Sequence, residues 1–178
     1  MEVTKIDAAR RQLETAIVLY FREADPVSIH TLACAAYEIL LTLNRTSNGA
    51  PMIKDWIVDM VGPELSGEFR RFINMAQNFF KHADKDTHAV LDFSPAATDV
   101  LMLDACWAYR RVAGELLPIL ATFEIWAGMT FASAYVIYPE TEDLDPAFLR
   151  RMASLPRAEF FAKMLPVAQQ AHGGGSGV

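Results

Sequence analysis

The sequence predicts an all-α fold, a bundle of roughly five to seven helices. Three observations lead there. Apolar residues recur at spacings of three, four and seven along most of the 178-residue chain. The pairs Asp25-Pro26, Ser94-Pro95 and Asp145-Pro146 mark helix starts, because Asp or Ser caps free N–H groups and Pro is preshaped for a first turn. Asp84 to Phe93 lacks a helical period and reads as an extended link, with room for a short strand at about 87–93.

The first helix is expected from about Lys5 to Arg22, where Ile6, Leu13, Ile17, Tyr20 and Phe21 build one apolar stripe. A second starts at Asp25-Pro26 and runs to about Leu43, with Ile29, Leu32, Ala33, Ala36, Leu40 and Leu41 inward. The short join makes the pair antiparallel neighbours, and the small residues Ala33 to Ala36 permit a close crossing. Asn44 to Pro51 is a turn-rich loop. A shorter helix follows with Ile53, Trp56, Ile57 and Met60 inward, and Gly62-Pro63 ends it and opens a central helix to about Ala83. Its stripe is Leu65, Phe69, Phe72, Ile73, Ala76 and Phe80, and Gly67 marks a candidate kink. A helix from Pro95 to about Leu117 carries Val100, Leu103, Cys106, Trp107 and Val112.

Leu116 to Tyr138 is the most apolar run and has the length of a membrane span. Glu124 in its middle, Pro118, Gly128 and recurrent Thr and Ser make a buried helix or a subunit interface the better reading, so no membrane partner is expected. After an acidic loop, Asp145-Pro146 opens a last helical region that Pro156 divides. One domain over 1–171 is expected, with a flexible Gly-rich tail at 172–178.

Composition narrows the function classes. Half the residues are hydrophobic, which argues against disorder. The net charge of −6 argues against broad electrostatic binding to nucleic acid. Cys34 and Cys106 sit in apolar helical stretches and read as buried free thiols. The charged helical N-terminus lacks a signal-peptide core, which implies the cytoplasm. Nucleotide-binding, nucleophile-elbow and zincin motifs are missing, and no cofactor is implied.

The chemistry-bearing residues concentrate at the end of the central helix. Asn78 and His82 stack one turn apart, and Gln77 and Lys81 form a second such pair. Imidazole titrates near neutrality, and an adjacent ammonium can hold a phosphate or carboxylate. Lys and His in a final turn also simply stabilise the helix dipole.

The run Gln77-Asn78-Phe79-Phe80-Lys81-His82 resembles the polar motif of the HEPN superfamily of helical bundles, in which an arginine, often followed by Asn, precedes a histidine by several residues. The resemblance implies a metal-independent ribonuclease site built across a homodimer, with His82 and Asn78 at the motif positions. Gln77 stands where arginine is expected, and a neutral amide cannot replace a guanidinium on phosphate. It therefore implies a binding or assembly module with weakened or absent ribonuclease chemistry and an RNA or protein partner. The alternative is an active ribonuclease in which Lys81 serves for the arginine. AARRQLETAI, DPVSIHTLA and NFFKHAD also resemble stretches of a group of bacterial helical proteins, implying a bacterial origin.

Three further groups compete. His82, Asp84, Asp86 and His88 carry metal-ligand types within one short segment, which supports a metal-binding alternative. His30 lies on a partly apolar face one turn before Cys34 and is either a hydrogen-bonded core residue or a partner to His82. Glu38 and Asp104 are the best candidates for buried carboxylates, to orient His82 or pair with an arginine; Asp104 with Arg110 and Arg111 also reads as a solvated face.

Overall fold

A computed structural model describes residues 1–84, 87–131 and 146–173. Eight helices occur among them: α1 (Lys5–Phe21), α2 (Pro26–Thr46), α3 (Ile53–Ile73), α4 (Met75–Lys81), α5 (Ala96–Ala113), α6 (Pro118–Phe131), α7 (Pro146–Ala153) and α8 (Arg157–Gly173). The fold class is all-α as expected, and no strand forms among the described residues. Residues 89–94 are irregular chain rather than a strand.

Local chemistry sets the first two helices. Thr4 and Asp7 form a capping box, the Asp7 N–H donating to Thr4 Oγ1 at 3.2 Å and the Thr4 N–H to Asp7 Oδ2 at 3.2 Å. Asp25 caps α2 by accepting from the Ser28 N–H at 2.7 Å, with Pro26 in the first turn. α1, α2 and α5 form the centre of the bundle, and α6 and α8 pack against each other and against α1. Phe21, Phe123, Phe160 and Trp126 are buried there, and Phe21 stacks on Phe160 and Phe161. Both cysteines are buried free thiols.

α2 is long and apolar enough to cross a membrane by length and composition. Its apolar side packs on α1 and α5, so its composition serves the core. In the Leu116–Tyr138 run, Gly114 ends α5 in the left-handed region at φ 70°, and Pro118 opens α6 rather than interrupting a helix. Glu124 is buried and lies 3.8 Å from Arg110 Nη1. The run beyond Phe131, the acidic loop at 139–145 and the tail after Gly173 lie outside the described residues.

The helix count exceeds the expected range because the last region, divided at Pro156, forms two helices, α7 and α8; the Pro63–Ala83 stretch is also divided. Gly62 (φ 76°, ψ 170°) leaves the helical region, and the 2.6 Å bond from Lys54 to Asn74 brings the two ends of α3 together, so Gly62-Pro63 separates two helical segments as expected, while Gly67 stays helical. The stretch after Pro63 divides at Asn74, whose side-chain Oδ1 accepts from Lys54 Nζ at 2.6 Å. A tertiary bond thus turns the chain where helical periodicity alone runs straight through. α4 then lies on α2, while α3 contacts the bundle through its first turn and α4.

Candidate binding site

α4 presents two different sides. Its outer side carries Asn78 and Lys81, and His82 follows as the helix C-cap, its N–H donating to the Asn78 carbonyl at 3.0 Å. All three side chains are exposed, and none lines the cavity described below. Its inner side carries Gln77 and Phe80; Gln77 is buried, and its Oε1 has no hydrogen-bond partner. The amide at the expected arginine position therefore faces the protein rather than the imidazole's surroundings.

The buried imidazole is His30 of α2. It is 4% exposed, with Nδ1 sharing a 2.9 Å hydrogen bond with Thr98 Oγ1 of α5 and Nε2 a 3.3 Å contact with Cys34 Sγ. Phe80 and Phe93 meet its ring edge-on, with centroids 5.8 and 5.1 Å away. Burial, then the positive charges of Lys54 and Lys81, push the His30 pKa below its ordinary value, so the ring is neutral near pH 7. Burial pushes the Cys34 thiol up to about 11. In the neutral ring one nitrogen donates and the other accepts, so Thr98 and Cys34 together satisfy both. His30 is thus the hydrogen-bonded core residue of the two readings.

Beside it lies a second buried polar group that sequence patterning missed. Lys54 is 6% exposed; its Nζ donates to Glu38 Oε1 and Asn74 Oδ1, both at 2.6 Å, and sits 5.0 Å from the Tyr37 ring centre. Tyr37 in turn donates to Asp104 Oδ2 at 2.7 Å, which also accepts from the Ile53 N–H at 2.8 Å. Burial raises the Asp104 pKa, and the two hydrogen bonds oppose that shift. The reading of Asp104 as a solvated residue gives way: it anchors the start of α3 to α2 and α5 and does not orient His82. The signal for Lys54 was its place one turn before Val58, both on the buried side of α3.

Between these groups lies a cavity of about 460 Å³ lined by side chains of α2, α3, α4, α5 and residues 91–94. Ile57, Ile73, Ala76, Leu91 and Val100 make most of its wall, His30 and Lys54 are its polar lining on the helices, and Asp92 and Ser94 lie on the irregular segment. A second, more open depression of about 610 Å³ lies beside Arg157 and Asp99. There Arg157 sits 4.0 Å above the Tyr20 ring, and Tyr20 donates to Asp99 at 2.9 Å.

Among the described residues no three His, Cys, Asp or Glu side chains gather as metal ligands. His82, Asp84 and His88 are all exposed, and Asp86 lies outside the described residues.

No protein-family model matches this chain, and neither the curated proteins nor the solved structures compared with it include a match.

Proposed function

We propose that the chain is a HEPN-like helical binding and assembly module of the bacterial cytosol, working as a homodimer with weakened or absent ribonuclease chemistry. The observation that carries this reading is the set of exposed apolar side chains on α3 and at the start of α4. Trp56, Met60, Leu65, Phe72 and Met75 are 58%, 65%, 55%, 67% and 48% exposed there. A large aromatic side chain offers roughly 150–250 Å². Five side chains about half exposed therefore offer on the order of 500 Å² of apolar surface per copy, against the roughly 800 Å² per partner of a stable interface. Apolar surface of this size is at the upper end of what a monomer exposes, and such patches are often functional.

Charge favours a second copy as the occupant. Asp59, Glu64 and Glu68 are exposed before Arg70 and Arg71, which are exposed at the end of α3. Antiparallel pairing of the segments after Gly62 about a two-fold axis near Gly67 sets Arg70 of one copy against Glu64 of the other. Catalysis is disfavoured by the chemistry at the tip of α4. Asn78, Lys81 and His82 are solvent-facing, and the amide of Gln77 replaces the guanidinium that phosphate chemistry needs.

Light scattering on the purified chain tests this reading. The expected species is a dimer, and Trp56→Asp with Met60→Asp should give a folded monomer. Incubation with single-stranded RNA in EDTA should leave the RNA intact. A wild-type monomer, or cleavage that His82→Ala abolishes, would overturn the proposal, the latter in favour of the active ribonuclease.

A further inference from the structure

We propose that the cavity between α2, α3, α4 and α5 is a binding site for a neutral, largely apolar small molecule carrying a single hydrogen-bond donor. Its volume of about 460 Å³ falls in the range of small-molecule sites. Five separate stretches of chain converge on it, so its shape belongs to the folded protein and not to one helix.

The polar groups in its wall decide the charge of the occupant. An anion would look to Lys54, but that ammonium already faces Glu38 and Asn74 at 2.6 Å and the Tyr37 ring. Drawing it away would leave Glu38 without its 2.6 Å partner. A cation or a strong donor would look to His30, but both ring nitrogens are engaged, by Thr98 and Cys34. An anion would therefore leave water and find no free counter-charge, and a cation would meet only the exposed carboxylate of Asp92, which repays little of its lost hydration. The remaining polar residues are Asp92, which is exposed, and Ser94. A carboxylate there repels anions and accepts from a neutral donor, so the donor end of the ligand faces Asp92 and the apolar body faces Ile57, Ile73 and Val100. Phe72, two-thirds exposed yet part of the lining, stands at the mouth and covers the bound molecule.

The site borders the proposed subunit surface through Phe72 and Met75, while Trp56 and Met60 lie outside its lining, so the two can be probed apart. The rival occupant is a side chain of the second copy, and the test separates the two. N-phenyl-1-naphthylamine is a neutral apolar fluorophore with one N–H donor; 1-anilinonaphthalene-8-sulfonate is the same skeleton carrying an anion. Fluorescence titration of the full chain should show one saturable site for the neutral probe and at least tenfold weaker binding of the sulfonate. Ala97 is exposed but lines the cavity, so Ala97→Phe fills it without removing core packing, and it should weaken the neutral probe at least tenfold. Ala76→Leu, from the α4 wall, should weaken it in the same sense and guards against misfolding of one variant. Trp56→Asp should leave probe binding unchanged, whatever it does to the dimer. Equal affinity for both probes, binding indifferent to both cavity-filling variants, or no saturable binding would overturn the proposal. Loss of probe binding in step with dimer loss would do so too, and would assign the cavity to the subunit contact.

Discussion

The α1–α2–α5 centre and the α3–α4 arm use the same kinds of side chain in opposite ways. In the centre, Phe21, Tyr37 and Tyr109 are buried, and the phenol of Tyr37 has a partner in Asp104. On the arm, Trp56 and Phe72 face outward although they follow an equally regular helical spacing. The difference lies in what each helix meets. α2 has α1 on one side and α5 on another, whereas α3 is fastened at its first turn by Asp104 and Tyr37, is closed on itself by the Lys54–Asn74 bond, and leaves Trp56, Met60, Leu65 and Phe72 exposed. An apolar stripe thus says that a helix wants a partner, and only the contacts say whether the partner belongs to the same chain.

The sharpest way to break this comparison is to truncate one aromatic on each side of it. Phe21→Ala, fully buried among Tyr20, Phe123, Trp126, Phe160 and Phe161, should cost about 3–5 kcal/mol in urea unfolding. Phe72→Ala should cost less than about 0.5 kcal/mol in a monomeric background. Similar losses from the two would mean that the arm is packed within one chain.

A smaller effect separates the two cations that hold the arm. Lys54→Ala removes a buried ammonium from Glu38, Asn74 and the Tyr37 ring, and should cost about 2 kcal/mol. Glu38 keeps 40% of its side chain in solvent, which holds the loss below that of a fully buried pair. Arg45→Ala breaks the ion pair with Asp55 on a half-exposed arginine and should cost under about 1 kcal/mol. Equal values would make the Lys54 group an ordinary surface pair.

Next comes the loop that joins the centre to the arm. A Cβ on Gly49 would lie 2.0 Å from Asn44 Oδ1. Asn44 is buried, its Nδ2 donates to the Ala50 carbonyl at 2.8 Å, and its Oδ1 accepts from Arg111 Nε at 3.3 Å. Gly49→Ala must push that amide out of place, so a loss of about 1–2 kcal/mol is expected in thermal or urea melts. Asn44→Ala in the Gly49→Ala background should add little further loss, because the two changes break one contact.

Much of the fold was legible because local rules and packing agree in the centre. Asp25 capping, Pro26 in the first turn and the Ile29–Leu41 stripe all describe α2. The break at Asn74 was not legible, since it depends on a lysine twenty positions earlier that is remote in sequence but in contact. The candidate site was read less well for a related reason. His82 drew attention because it stands beside Asn78 and Lys81 in the sequence, yet adjacency at a helix end leaves all three in solvent. His30 looked isolated, and its partners Thr98, Phe80 and Phe93 come from other elements. Neutral groups that converge only in space carry no motif.

The smallest expected effect is a pH slope set by His30. Its folded pKa lies below the ordinary value of 6.5, first through burial and then through Lys54 and Lys81. The unfolded chain therefore binds the proton more readily than the folded one between the folded pKa and pH 6.5. Stability from this group is complete above pH 6.5 and falls as the solution is acidified through that window. Protonation also puts a hydrogen on the ring nitrogen that accepts in the neutral ring, removing a bond as well as adding a charge. Urea unfolding between pH 7 and pH 5 should show a fall due to His30 set against the opposite contributions of Asp99 and Asp104, whose carboxyl pKa values burial raises. His30→Gln, which keeps a donor and an acceptor without the titration, should flatten that fall even if it lowers stability at pH 7. An unchanged slope in His30→Gln would place the titrating group elsewhere, and His30 would then be no more than a polar filler between α2 and α5.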